Sequence, residues 1–399
     1  MLPEPDRWRA SWRRQLDQLG RAAAETVEMF EKELRKPALL PDTRLRLETQ
    51  IALTRQTLAE VTAIIAPAAG PRLDDPVPAP AIDPLNTFHY LYRDWAETEE
   101  NGEALACVSS VLDDAPLGRV LVIGAGAGRL AYDLHRARGA RLTIALDIDP
   151  LVALVAQQMV SGRSLALTEA RSNATEMTRF GRSRTLRAPA GAVDHFHVLL
   201  GNGLRPPLRD GVFDTVLTPW FIDVVPPDLR DFIGVLHRLL APGGRWINYG
   251  PLLFPPDRPA AYRYAREEVL AIAQAGGFEV TRQADQMVRF AYSPLAGRGR
   301  LEHCIAFSAS KTTPSANAWL QLPYLPIPDF PGREQVRHES AAFNAILALC
   351  DGRRSIDDIA RELSGGLEDP RINRAAMKDA VRLCLQALHP AAKEPACAR

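Results

Sequence analysis

The sequence predicts an α/β protein: a mainly parallel sheet with helices on both faces, an N-terminal helical hairpin and a small α-rich module at the C-terminal end. Three observations predict it. Short apolar runs alternate with helical patterns from residue 119 onward, which is the signature of strand–helix–strand units. Before them, residues 8–34 and 47–65 place apolar side chains at steps of three and four, the period of an amphipathic helix. After them, beyond Pro323, Pro326, Pro328 and Pro331, three short helical patterns follow.

Composition excludes several classes. Of the 399 residues, 46% are hydrophobic, too many for a disordered chain. No apolar run reaches the roughly 18 residues of a membrane-spanning helix, and Asp6, Arg7, Arg9, Arg13 and Arg14 interrupt any signal-peptide core. The 48 basic and 48 acidic residues cancel, which argues against nucleic acid as the main partner. Five cysteines (107, 304, 350, 384 and 397) lie far apart with no metal spacing, as in a reduced cytoplasm. We expect a cytoplasmic protein that binds no membrane and no metal.

Each element has its own justification. Trp8, Trp12, Leu16, Leu19, Ala23, Val27, Phe30 and Leu34 form one stripe; Pro37 and Pro41 break it; Leu47, Ile51, Thr54, Leu58, Val61 and Ile65 form a second. Residues 1–66 therefore read as a helical hairpin, a packing lid or an oligomer surface. Its stripe must be covered by the neighbouring domain or by a second subunit, which leaves a homodimer open. Six prolines in 67–84 read as an extended linker.

Residues 85–312 form the central domain. Strands are expected at 120–123, 142–146, 195–200, 213–218, 245–249 and 278–282, with 304–308 as an added edge strand. Residues 322–395 carry a helical face of Phe343, Ile346, Leu347 and Cys350, then a capping-box pattern at Ser355 and Asp358, then a helix over 376–388. Three short helices in so few residues suggest a winged-helix-like module.

The chemistry starts at Gly124-Ala125-Gly126-Ala127-Gly128, directly after the first strand. Such turns bind dinucleotides or S-adenosylmethionine (SAM), or are purely structural. Arg129 stands where a dinucleotide fingerprint needs a small third residue. Asp147, at the tip of the second strand, can accept from both hydroxyls of a ribose. Leu239-Leu240-Ala241-Pro242-Gly243-Gly244-Arg245 then ends a helix and opens a strand, and Gly276-Gly277-Phe278 does so again. This order resembles the class I SAM-dependent methyltransferases.

Three further segments resemble the carnosine N-methyltransferase family across residues 85–310: Arg93-Asp94-Trp95, Trp220-Phe221-Ile222-Asp223, and the run Trp246-Ile247-Asn248-Tyr249-Gly250-Pro251-Leu252-Leu253. The resemblance implies a Rossmann-like class I methyltransferase sheet and SAM-dependent methylation of a nitrogen in a histidine-like imidazole or related amine, on a small molecule or peptide. It implies Arg93 on the SAM carboxylate, with Gly124, Gly126, Gly128, Arg129 and Asp147 around the cofactor and Asn202 at the adenine. Trp220, Phe221, Asn248 and Tyr249 would line the acceptor, whose imidazole Asp223 would hold as the catalytic residue. A carboxylate on one imidazole N–H fixes the tautomer, points the other lone pair inward and stabilises the developing positive charge. The other reading of Asp223 is a helix N-cap ahead of Pro226-Pro227.

The chain departs from the family where Phe254-Pro255 replaces its His, which turns the acceptor away from carnosine itself. Arg179, Arg182, Arg184 and Arg187 read as a solvated loop or a contact for an anionic or peptide substrate. His195 and His197 share a strand face without a third metal ligand. The C-terminal module resembles PqqD-like domains, which implies peptide binding; a structural role and DNA binding are the alternatives. A SAM-binding partner protein without catalysis is the competing class.

Overall fold

The computed structural model describes residues 5–70, 84–96, 98–171, 173–224, 228–293, 295, 299–314, 318–320, 322–329, 340–365 and 370–388. Most of the expected linker at 67–84, Pro226-Pro227, Pro331 and Cys397 lie outside the described residues. The chain forms two compact units: Met1–Phe221 with Ile247–Pro251 and Arg282–Ser308, and Ile222–Trp246 with Leu252–Thr281 and Ala309–Arg399. Among the described residues no helix is long and apolar enough to cross a membrane.

In the first unit, α1 (Pro5–Leu34) and α2 (Pro41–Ile65) pack as an antiparallel pair. The Gly70 N–H donates to the Arg9 carbonyl (2.8 Å) at one end, and Arg44 reaches the Leu34 carbonyl at the other. Leu16, Leu19, Val61, Ile64 and Ile65 join the same core as Leu91, Trp95, Val108 and Tyr132. The core of the central domain therefore takes in part of the hairpin's stripe, whereas Ala23, Val27, Phe30 and Leu34 are half-buried and lie outside it. α3 (Pro84–Trp95) and α4 (Glu100–Ser110) follow.

The sheet begins with β1 (Arg119–Ile123), α5 (Arg129–Arg138), β2 (Leu142–Asp147) and α6 (Pro150–Val160). Asp149 caps α6 through the Leu151 N–H (2.8 Å), with Pro150 at the first helical position. An antiparallel hairpin of β3 (Ser164–Ala170) and β4 (Gly181–Arg187) comes next, which the sequence pattern did not predict. The Glu60 carboxylate of α2 accepts from the Thr168 N–H (2.6 Å) and hydroxyl (2.9 Å), fastening the helical hairpin to it.

β5 (Phe196–Leu200), β6 (Phe213–Pro219), β7 (Leu240–Gly250), β8 (Phe278–Phe290) and β9 (Arg300–Lys311) complete a seven-stranded sheet. Its order is β5-β2-β1-β6-β7-β9-β8. β1 runs parallel to β2 and β6, and β2 runs parallel to β5. Strand order reverses at β1, the switch point where such sheets open a ligand crevice. This is the Rossmann-like α/β fold the sequence predicts, with one correction. The run at 304–308 is not an edge strand: β9 lies between β7 and β8, and β8 is the edge. The burial pattern gives the reason, since residues 304–308 are all buried whereas much of β8 is exposed.

The second unit holds α7 (Leu229–Leu239), α8 (Arg266–Ala275), α9 (Ala341–Leu349), α10 (Ile356–Leu363) and α11 (Pro370–Leu388). Trp319, Ile327, Ile346, Ile356, Ile359, Val381 and Leu385 form its C-terminal core. Lys378 of α11 ties α10 to α7, reaching Asp357 at 2.5 Å and Asp231 at 3.2 Å. Three helices are present as expected, but among the described residues no strand pair forms a wing; the segment offers only the bridge Pro326–Ser355. The Ser355–Asp358 capping box is formed, the Asp358 N–H donating to Ser355 Oγ at 3.1 Å. Ser355→Ala should therefore destabilise this helix by about 1 kcal/mol, measured as a lower denaturation midpoint.

Candidate active site

The glycine turn is shaped by backbone geometry. Gly124, Gly126 and Gly128 hold φ of 72°, 56° and 89°, the left-handed region that side chains resist. That explains the alternate spacing. The Gly124 and Ala125 N–H groups donate to the Leu146 carbonyl at 2.9 and 3.0 Å, folding the turn over the end of β2. A Cβ on Gly124 would meet Phe221 at 2.6 Å, and one on Gly203 would meet the same ring at 2.8 Å. Both turns are therefore packed to the Phe221 face.

Asp147 sits where the sequence places it, at the tip of β2. Its carboxylate accepts from the Gly126 N–H (2.7 Å) and the Asp149 N–H (2.9 Å). Burial pushes its pKa up to about 7; the Asp149 charge adds to this, and the backbone bonds oppose it. The Gly201 N–H donates to the Asp147 carbonyl (2.8 Å), so the 201–203 turn lies beside the same strand end. Asn202 itself is exposed, and its Oδ1 accepts from the Leu204 N–H (2.9 Å).

Arg93-Asp94-Trp95 has a physical meaning that the motif alone did not show. The Trp95 indole N–H donates to the Ala127 carbonyl (2.8 Å), inside the glycine turn. Asp94 accepts from Arg93 Nε (2.8 Å) and from the Arg129 N–H (3.4 Å). The Arg129 guanidinium is turned to Asp133 (2.8 Å) and the Asp94 carbonyl (2.9 Å), so only its backbone lies on the turn.

The Arg93 guanidinium stands in an aromatic box, its central carbon 5.2 Å from the Tyr90 ring centre, 4.9 Å from Trp220 and 5.4 Å from Phe290. Such walls support a cation without consuming its N–H donors. Arg93 Nη1 is shielded from solvent and has no hydrogen-bond acceptor among the described residues. Burial alone would lower its pKa, but the adjoining Asp94 carboxylate holds it above the ordinary value. A fixed, charged fork with donors to spare suits a carboxylate.

Trp220 is held in the left-handed region (φ 45°), a conformation that costs about 1–2 kcal/mol and persists only when its surroundings over-determine it. Here they do. Its N–H donates to the Tyr249 carbonyl (2.7 Å), its indole N–H to Glu302 Oε2 (2.9 Å), and its ring meets Tyr249 edge-on at 4.7 Å. Tyr249 and Asn248 are fully buried, Asn248 Oδ1 accepting from the Thr218 hydroxyl (3.0 Å). Both stand behind the wall rather than on it. Tyr90, Phe290 and Glu302 escaped the sequence analysis, because their signal is a meeting of α3, β8 and β9 rather than a motif.

In the second unit Asp223 is 1% exposed, and its Oδ2 accepts from the Leu253 N–H (3.0 Å). The helix cap nearby is Asp228, on the Arg230 N–H (2.9 Å). Asp223 is thus not the N-cap of α7. Phe254, in the place of the family's His, packs edge-on to Tyr264 at 6.1 Å with Arg258 over its ring.

Residues 181–187 form strand β4 rather than a solvated loop, because β3 supplies a pairing edge. Arg184 turns to Glu169 (2.7 Å), while Arg182 and Arg187 are exposed along a cleft of about 1140 Å³ shared with Trp95, Arg129 and Tyr292. His195 lies before β5 in the left-handed region (φ 55°), so it does not share a strand face with His197. Among the described residues no three His, Cys, Asp or Glu side chains could hold a metal ion.

Comparison with known proteins matches the carnosine N-methyltransferase family model to residues 182–301. Carnosine N-methyltransferase of Dictyostelium discoideum is 38% identical over 47 residues, 12% of this chain and 10% of that protein. The Mus musculus enzyme of the same name is 23% identical over 252 residues, 57% of this chain and 62% of that one. The chain thus spans from a tenth to about three fifths of these relatives. Among solved structures, a SAM-dependent methyltransferase from Aquifex aeolicus aligns with 58% of this chain and 100% of its own, at 15% identity and a TM-score of 0.36. The chain is carnosine N-methyltransferase-like over its matched segment.

Proposed function

We propose that this chain, carnosine N-methyltransferase-like over residues 182–301, is a SAM-dependent methyltransferase acting on an imidazole or related amine nitrogen of a small molecule or peptide in the cytoplasm. One observation carries the reading. A left-handed glycine turn, Asp147 and a boxed Arg93 converge at the reversal point of a parallel sheet. Arg93 Nη2 approaches within 3.9 Å of the Cβ position of Gly126, so the cation and the turn serve one ligand.

SAM supplies an electrophilic methyl group on a sulfonium. The chain's task is alignment, since direct displacement needs a neutral lone pair held in line. Arg93 takes the ligand carboxylate, Asp147 accepts from the ribose hydroxyls, and the turn at Asn202 flanks the base. Trp220 and Phe221 wall the reacting end, with Asn248 and Tyr249 supporting them. Asp223 accepts the acceptor's N–H and leaves the opposite nitrogen as nucleophile.

Calorimetry with SAM and NAD, followed by mass analysis of acceptors incubated with SAM, tests the reading. SAM binding without NAD binding, and a product heavier by one methyl group, are expected. NAD binding without SAM binding overturns it. The pH dependence follows from Asp147. A ribose donates to the ionised carboxylate, so a group with a pKa near 7 must lose its proton on binding. Affinity should rise through pH 7 and level off about one unit above it. In Asp147→Asn that dependence should vanish, and binding should weaken by about 1–3 kcal/mol.

A further inference from the structure

We propose that Glu302 is a positioning residue that sets the Arg93 guanidinium through the walls of its aromatic box; this rests on the reading of Arg93 as the receptor for the SAM carboxylate. Glu302 lies on β9 with a side chain 2% exposed. Its two oxygens divide the work. Oε2 takes the Trp220 indole N–H at 2.9 Å, and Oε1 takes Arg300 Nη2 at 2.5 Å. The Arg300 guanidinium in turn covers the Phe290 ring at 4.3 Å. One carboxylate therefore grips two walls of the box, Trp220 directly and Phe290 through Arg300.

Nothing in the strand asks for a charge here. Residues 304–308 beyond it are buried, and a buried carboxylate is costly unless every partner is in place. Its partners are the box. Arg93 is anchored at Nε by Asp94, which leaves the fork free to swing about that end unless the rings confine it. The Trp220 backbone is pinned by the Tyr249 carbonyl and its ring packs edge-on against Tyr249, while Glu302 fixes the indole N–H end. Loss of that bond lets the ring turn and the fork follow.

The experiment compares three variants with the wild type in SAM calorimetry and, in ¹⁵N spectra without ligand, at the Trp220 indole and Arg93 Nε–H resonances. Glu302→Leu should weaken SAM binding about tenfold and shift both resonances. Glu302→Gln keeps an acceptor for the indole and should stay within threefold of wild type. Trp220→Phe should match Glu302→Leu in SAM affinity, and the double variant should be no worse than either single one. Unchanged affinity and resonances in Glu302→Leu, additive losses in the double variant, or equal damage from Gln and Leu would each overturn the proposal. If the wild type binds no SAM, the cofactor reading fails, and the two resonances still decide whether Glu302 positions Arg93.

Discussion

Asp223→Ala should lower kcat for methyl transfer by about 10²–10³-fold, the usual cost of removing a preorganised group from a developing charge, while SAM affinity stays within a few-fold. The carboxylate is almost fully buried, and Leu253 fixes one of its oxygens at 3.0 Å. It is therefore oriented before any acceptor arrives. Asp223→Asn separates orientation from charge. It keeps an acceptor for the Leu253 N–H but cannot offset an imidazolium, so kcat should fall nearly as far while the fold is untouched. Single-turnover rates, measured beside SAM calorimetry, check this. Equal loss of SAM binding would make Asp223 a cofactor ligand or a structural residue, and full activity would remove its role on the acceptor.

The second large effect is expected at Gly124→Val. Its φ of 72° charges any side chain about 1–2 kcal/mol, and a Cβ 2.6 Å from Phe221 adds about 1–3 kcal/mol of overpacking. Phe221 also closes on Gly203, so displacing the ring moves both turns. SAM affinity should fall at least about thirtyfold, at 1.4 kcal/mol per factor of ten. Gly126→Ala is the control. Its Cβ would find no atom nearer than 3.9 Å, so only the strain remains and the loss should be several-fold. If the two variants weaken binding equally, the Phe221 contact is not what shapes the turn.

Local signals carried most of the sheet and the left-handed glycine turn beside Asp147. The alternate glycines at 124, 126 and 128 require left-handed backbone, and Asp147 needs only to end a strand; both facts are visible along the chain. The two N-terminal helices announce themselves by period. What local pattern could not show was pairing. Residues 181–187 look like a basic loop, because Arg182, Arg184 and Arg187 acquire meaning only when β3 supplies a partner edge. β9 looks like an edge because the sequence cannot tell which of two late strands inserts beside β7. Tyr90 lies in α3 while Phe290 and Glu302 lie in β8 and β9, and only folding brings them around Arg93 and Trp220.

The bond between Glu60 and Thr168 spans 108 residues, and it sets a timing problem during synthesis. The helical hairpin leaves the ribosome well before the strand that receives it. At about 5–20 residues per second, the interval between Glu60 and Thr168 is on the order of 5–20 s. Through that time the side chains of Leu47, Ile51, Val61 and Ile65 wait without their final neighbours. Helices themselves form in about a microsecond, so the wait is set by the arrival of the strands that cover this apolar face and not by helix formation. Nascent chains of this protein should therefore depend on a holding chaperone over that interval, and the demand should end once β3 and β4 have emerged.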